Sequence, residues 1–215
     1  MFMEKFFTYT TVDPLAIELP EAAIWSRLGR NRFLSRIEPA AELKLKLEMW
    51  RAFEQCRPCG RWLLLPVTAR FPEKTVLDES WTLESAQLSS FVCDAEYLWV
   101  GAVTIGDGIA RMIAQSREDM SRVVVYDAVG SECADLAIKN LQVLSARILQ
   151  RYNLQLSIQR FSIGYGALEL KHQQTVFDRL KLEDLNMNLN ESFIMQPEKS
   201  VTAFCRVNKI KKSEN

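Results

Sequence analysis

The sequence predicts an α+β fold, and three observations carry that expectation. Leu98–Ile105 (Leu-Trp-Val-Gly-Ala-Val-Thr-Ile) is a continuous apolar run, the pattern of a buried strand. Ala134 to about Tyr152 repeats Ala137, Leu141, Leu144 and Ile148 at helical spacing. Shorter helical and strand-like segments surround these two in irregular alternation, which does not suit a doubly wound parallel sheet.

The elements follow in order. Pro20 opens a short helix carrying Ile24, Trp25 and Leu28, with Gly29 placed to end it. Residues 40–54 fit two patterns: the alternation Leu43, Leu45, Leu47, Met49, and the helical stripe Leu43, Leu47, Trp50, Phe53. Length and the good helix formers Leu, Lys, Glu and Met favour helix. Arg61–Ala69 reads as a strand that Pro66 interrupts, hence an edge or a bulge. Thr75–Leu77 and Ser80–Leu83 read as two short strands. Gly106, Asp107 and Gly108 turn the buried strand into a helix with Ile109, Met112 and Ile113 facing inward; Arg122–Tyr126 is too short to type. Ser157–Arg160 is extended, and Gln173–Leu180 is a helix with Val176, Phe177 and Leu180 on one face. Asn190–Met195 and Ser200–Val207 are strand-like, joined by a Pro197-containing turn at Gln196–Lys199. No repeat, low-complexity tract or linker divides the chain, so one domain over residues 1–215 is expected.

Composition narrows the function. Of 215 residues, 48% are hydrophobic and 25% charged, which argues against disorder. Lysine plus arginine equals aspartate plus glutamate at 27 each, so no basic excess invites nucleic acid. The one basic run, Lys209, Lys211 and Lys212, reads as a frayed, solvated end. No apolar run approaches the ~18–20 residues of a membrane span, and Glu4 and Lys5 interrupt the apolar start, which lacks a signal-peptide core. A soluble, cytoplasmic protein is expected. Five scattered cysteines, an odd number, do not form a disulfide framework.

Most common chemistries are unavailable. His172 is the single histidine and sits between Lys171 and Gln173, where a surface position is expected. Multi-histidine zinc sites are excluded within one chain. Cys56 and Cys59 follow the 40–54 helix, and Pro58 and Gly60 mark a helix stop rather than the helix N-terminus that activates a redox thiol. Gly101, Gly106 and Gly108 match neither the dinucleotide fingerprint nor the P-loop, so a plain turn is expected.

The informative stretch is Arg160-Phe161-Ser162-Ile163-Gly164-Tyr165-Gly166. An arginine ends an extended segment, and two glycines bracket an aromatic residue. Such glycines permit positive φ and close approach of a ligand to the backbone. The guanidinium offers a planar fork for carboxylate or phosphate. Spacing alone leaves a structural turn with a packed tyrosine equally economical.

These residues resemble a known family. Arg160-x-x-x-Gly164-Tyr165, then Leu189-Asn190-Glu191-Ser192-Phe193-Ile194-Met195-Gln196-Pro197 and Ser200-Val201, is similar to the activation (reactivation) domain of cobalamin-dependent methionine synthase. Asp127-Ala128-Val129-Gly130-Ser131 and Ala134-Asp135-Leu136-Ala137 resemble its short, stand-alone branch. The specific likeness covers about residues 97–207.

The resemblance implies a twisted, largely antiparallel sheet with flanking helices, and binding of S-adenosylmethionine. It implies a role in rescuing a cobalamin-dependent methionine synthase, or a related corrinoid protein, after oxidation to cob(II)alamin. One electron from a flavodoxin-type donor gives cob(I)alamin, which takes the methyl group from S-adenosylmethionine. The cobalamin is carried by the partner. By the same resemblance Arg160 pairs with the ligand carboxylate, the backbone of Ser162, Ile163 and Gly164 meets its amino-acid or adenosine part, and Tyr165 borders the methyl path as the catalytic candidate. Asp135 stands where the family has a glutamate that serves the site; on its own context it is equally a first-turn residue favourable to the helix dipole. Glu191, with Ser192, either shapes the groove or serves a strand turn. Asp13 is the candidate for the aspartate that receives the ligand's amino group. The sequence departs from the long form after Tyr165, where Gly166-Ala167-Leu168-Glu169 replaces Pro-Ala-Cys-Pro, and the likeness stops near Val207, before that form's ligand-contacting C-terminal tyrosine. A corrinoid-docking regulatory module that does not use S-adenosylmethionine is therefore the alternative.

Overall fold

The computed structural model describes residues 4–29 and 38–210. A 3-10 turn at Glu4–Phe6 leads into β1 (Thr10–Val12), α1 (Glu21–Arg27) and α2 (Pro39–Phe53). Then come β2 (Cys59–Phe71), β3 (Lys74–Leu77), β4 (Trp81–Glu84), α3 (Ala86–Phe91), β5 (Tyr97–Thr104) and α4 (Gly108–Gln115). The last part holds α5 (Met120–Gln150), β6 (Leu154–Leu156), α6 (His172–Leu180), β7 (Asn188–Leu189), β8 (Met195–Gln196) and β9 (Ser200–Lys209).

Every strand pairing is antiparallel. The main sheet runs β4-β3-β2-β5-β9-β6, with β1 alongside β2, and β7-β8 forms a separate hairpin. Both faces of the main sheet are covered, and strand alternation sorts the side chains between them. Trp62, Leu64, Trp99, Val103, Ala203 and Cys205 join one buried cluster with α1, α2, α4 and α5. Leu63, Leu65, Leu98, Val100, Ala102 and Phe204 join the other with α3, residues 161–168 and α6. Double coverage is why Leu98–Ile105 reads as unbroken apolar sequence although its sheet is antiparallel.

Several expectations are met in detail. Gly29 ends the α1 segment at φ +80, and Ile24 and Trp25 are buried. Ile109 is buried, with Met112 and Ile113 packed against the core. Gly101, by contrast, belongs to no turn: it lies inside β5 under the Trp99 ring, and a Cβ at Gly108 would collide with the Gln55 carbonyl, so both glycines serve close packing.

Other expectations are corrected. Arg122–Tyr126 belongs to α5, a single helix of 31 residues; the Asp119 side chain caps it by accepting from the Arg122 N–H. The run Val123-Val124-Val125 masks this helix, because β-branched residues have low helix propensity. The apolar stripe of α2 is rotated, and that of α5 is met except at one position. On α2, Leu43, Leu47 and Trp50 are exposed, while Glu48, Met49 and Ala52 face the core. On α5, Ala137 and Leu141 are buried and Ile148 packs against the core as expected, Leu144 is exposed, and Ile138, Gln142, Ser145 and Leu149 widen the buried face. On α2 packing against neighbours, not the richest stripe, selected the face.

Pro66 sits inside the sheet, opposite Tyr97 of β5. Its carbonyl accepts from Asp78 on the β3 side, so its missing N–H falls where β1 has ended and β3 has not begun. Ladder pairing between β2 and β3 slips between Val67 and Ala69, which is the expected bulge. Residues 157–160 are not a regular strand, since β6 stops at Leu156. Residues 190–194 are a turn, in which the Asn190 side chain accepts from the N–H groups of Ser192 and Ile194. His172 is buried, and its Nδ1 accepts from Trp81 Nε1 at 3.4 Å. Burial, then the nearby Lys171, push its pKa down. Lys209 is the last residue of β9 and pairs with Glu96 at 2.7 Å; Lys211 and Lys212 lie outside the described residues. Among the described residues no helix is long and apolar enough to cross a membrane, and no cluster of three or more His, Cys, Asp or Glu side chains is arranged for a metal.

Candidate functional site

The site is built where the sheet edge beside β9 breaks its ladder. Leu154–Leu156 of β6 pair with Lys209–Val207, and the Ser157 N–H donates to the Arg206 carbonyl. Pairing resumes only at Phe161, which exchanges both backbone bonds with Phe204 at 2.9 and 2.7 Å. From 157 to 161 the edge strand advances four residues while β9 advances two, from 206 to 204. The two surplus residues form a bulge, and bulges re-aim side chains. Ile158 is thrown outward to 92% exposure, and Arg160 is turned toward α5.

Arg160 is fixed by one neutral partner. Its Nη1–H donates to Gln142 Oε1 at 2.9 Å. Among the described residues it has no carboxylate partner, so its charge and remaining donors stay free for an anion. The Gln142 amide nitrogen donates to the carbonyls of Ser157 at 2.6 Å and Ile158 at 3.1 Å, and lies 3.3 Å from Cys205 Sγ.

Ser162–Gly166 follows as a self-bonded turn. The Tyr165 N–H donates to the Ser162 carbonyl and the Gly164 N–H to the Leu168 carbonyl. Gly164 has φ +90 and Gly166 φ +58, backbone that side chains disfavour. Ile163 is buried and anchors the turn in the core, while Tyr165, 72% exposed, stands at its tip. The Ile163 N–H and Gly164 carbonyl take no partner among the described residues.

Asp135 lies seven residues before Gln142, hence on the same face of α5 and roughly 10 Å along it. Contacts at both ends fix that face against β9: Lys199 reaches Asp127 and Ser131, and Gln142 reaches Cys205. Asp135 is largely exposed, with Arg27 at 3.9 Å. Glu191 is exposed at the tip of the β7–β8 hairpin and, among the described residues, makes no hydrogen bond or ion pair with Arg160 or the glycine turn. Asp13 follows β1, on the far side of β2, β5 and β9 from Arg160, four strand steps or roughly 19 Å across the sheet, and nearer its other end. It lines a cleft of about 720 Å³ at the strand ends with Arg57, Gly106, Gly108, Asn186 and Gln196. That cleft shares no residue with the Arg160 turn.

Comparison with solved structures decides the fold. The chain superposes on the crystal structure of the MetH reactivation domain bound to AdoHcy, with a TM-score of 0.63, 18% sequence identity, and coverage of 96% of this chain and 80% of that one. The chain has the MetH reactivation-domain fold. No family model matches it, and no curated protein matches it.

Within the reactivation-domain fold, Arg160 and the Ser162–Gly166 turn follow one another along the sheet edge, with Arg160 held toward α5, Ile163 buried in the core and Tyr165 exposed. Gln142 is the residue that sequence reasoning missed. Its signal was a carboxamide on the buried face of a helix, between Ile138 and Ser145.

The cysteines lie elsewhere. Cys56, Cys59, Cys133 and Cys205 are buried and unbridged, and Cys93 is exposed. The Cys133 thiol hydrogen bonds to Cys56, which raises the pKa of Cys133 and lowers that of Cys56. Burial pushes the Cys205 thiol up to about 12.

Proposed function

We propose that this chain binds S-adenosylmethionine against Arg160 and the Ser162–Gly166 turn. In this reading it serves as the reactivation component for a cobalamin-dependent methionine synthase or related corrinoid protein. A flavodoxin-type donor supplies the electron. The observation that carries the reading is the Arg160 guanidinium, held by a neutral amide and, among the described residues, lacking a carboxylate partner, four residues before the first of two left-handed glycines. The likeness to a domain bound to AdoHcy supports it further.

The ligand suits the residues. Arg160 receives its carboxylate through charge-assisted hydrogen bonds. The Ile163 N–H and Gly164 carbonyl are free to meet its polar edge. A Cβ at Gly164 would lie 3.0 Å from Leu170 Cδ2, so glycine keeps this approach thin. The exposed Tyr165 ring offers its π face to the sulfonium. Asp135 contributes the field of a negative charge, which favours a cationic ligand. The partner's cobalamin supplies the nucleophilic metal that accepts the methyl group. The chain's own part is to hold the donor and exclude water at the turn.

Calorimetric titration of the protein with S-adenosylmethionine and AdoHcy, alone and with a cob(II)alamin-loaded partner, tests the reading. Saturable binding is expected; no binding in either format overturns it. A second reading, a corrinoid-docking module indifferent to this ligand, is favoured by two exposed apolar side chains on this edge, Ile158 and Tyr165. It requires a change in cob(II)alamin absorption on mixing without S-adenosylmethionine, and it fails if reductive methylation of the partner depends on both protein and donor.

A further inference from the structure

Gln142 is nine-tenths buried, yet its side chain makes four contacts, all toward the bulge or β9. A buried carboxamide left unpaired is costly, so a glutamine on this face needs a reason to be there. The reason is legible in the partners. Its N–H₂ group takes the carbonyls of Ser157 and Ile158, which the broken ladder has abandoned. Its oxygen, on the opposite side of the same planar group, takes the Arg160 guanidinium. One rigid amide therefore ties the shape of the bulge to the aim of the arginine. A glutamate would turn an oxygen toward the two carbonyls and would neutralise Arg160. An apolar residue would leave the guanidinium unheld.

We infer that Gln142 is the positioning residue of the ligand site, which orients Arg160 toward the ligand carboxylate while leaving its positive charge uncompensated. This role rests on the ligand reading above and adds to it a second residue, on a different element, that sets specificity for a carboxylate-bearing ligand. Gln142 does not touch the ligand; it acts through Arg160.

The test uses two ligands of the full chain. AdoHcy carries the amino-acid carboxylate, and 5′-methylthioadenosine carries the same nucleoside and sulfur without it. Wild type is expected to prefer AdoHcy. Gln142→Glu and the near-isosteric Gln142→Met are expected to bind AdoHcy about tenfold more weakly or worse, with 5′-methylthioadenosine affinity unchanged. In an Arg160→Ala background neither change is expected to matter further, because the two residues act as one unit. A purely structural defect would instead weaken both ligands and add to the loss from Arg160→Ala. Circular dichroism and thermal melting identify variants that fail to fold. If only Gln142→Met folds poorly, Gln142→Glu carries the test. If neither folds, the guanidinium Nη resonances of wild-type Arg160 decide: restricted rotation supports the tie to Gln142, and free rotation overturns it. AdoHcy binding by wild type with unchanged preference in the variants overturns the role of Gln142 alone. No AdoHcy binding by wild type overturns the ligand reading and this role with it.

Discussion

Tyr126 of α5 donates its hydroxyl to the carboxylate of Glu48 of α2 at 2.5 Å, and both residues are buried. Arg51 holds the other carboxylate oxygen at 2.8 Å, with Arg122 at 3.6 Å. Burial first, and then Glu48, push the Tyr126 pKa up to about 12. An unfolded tyrosine ionises near 10. Below pH 10 both states hold the proton, so the contribution of the bond is fully present. Between about pH 10 and 12 the folded state holds more protons, so stability falls as pH rises. Tyr126→Phe is expected to cost about 1–3 kcal/mol at neutral pH by leaving a buried acceptor short of a donor. The difference between wild type and variant should shrink from pH 10 upward. Urea midpoints for the two proteins across that range check both statements.

Arg160→Ala is expected to weaken S-adenosylmethionine and AdoHcy binding by roughly ten- to a hundredfold, the loss of one charge-assisted contact of about 1.5–3 kcal/mol. Thermal stability should change little, because the guanidinium is exposed and its one protein bond is to an amide. Calorimetry on the folded variant is the check; unaltered affinity would remove Arg160 from the site.

Gly101→Ala is expected to destabilise the protein by about 1–3 kcal/mol or more, although Gly101 lies in a regular strand. Trp99 is fully buried, and its six-membered ring occupies the space above Gly101 that a Cβ would need. The ring is part of the close-packed core, so moving it disturbs its neighbours. Denaturant unfolding of the variant should show a lower midpoint, and an unchanged midpoint would mean that the indole can move.

Thiol accessibility should separate the five cysteines into one and four. Cys93 is exposed and should react promptly with an aromatic disulfide reagent in the native protein. Cys56, Cys59, Cys133 and Cys205 should react only on unfolding, since all four are buried. Two or more fast thiols at neutral pH would reopen a redox role for the Cys56/Cys59 pair.

How much of this was legible in the sequence varies by element. The site turn was visible because it rests on local chemistry: glycines at 164 and 166 answer to positive φ, and Arg160 precedes them in the chain. Buried β5 was visible because eight apolar or small residues in a row have few other uses. The continuous α5 was not, because a valine run at its start argues locally for strand while the Asp119 cap and the core decide for helix. The exposed Leu43–Leu47–Trp50 stripe misled for a related reason. Its hydrophobicity is a property of the chain, but the face that turns inward is set by where α5 lies. His172 looked exposed between two polar neighbours and became buried because α6 lays its first turn against Trp81.

By itself the sequence determined the α+β class, most of the elements, the single histidine, and the glycine-flanked arginine motif. These follow from residue type, spacing and backbone preference, which act over a few positions. Only the tertiary structure decided that the edge strand would bulge after Leu156, that Gln142 would reach across from α5 to hold Arg160, and that Asp13 would lie across the sheet from both. Those facts depend on strand register and helix packing between residues far apart in the chain, and no local pattern encodes them.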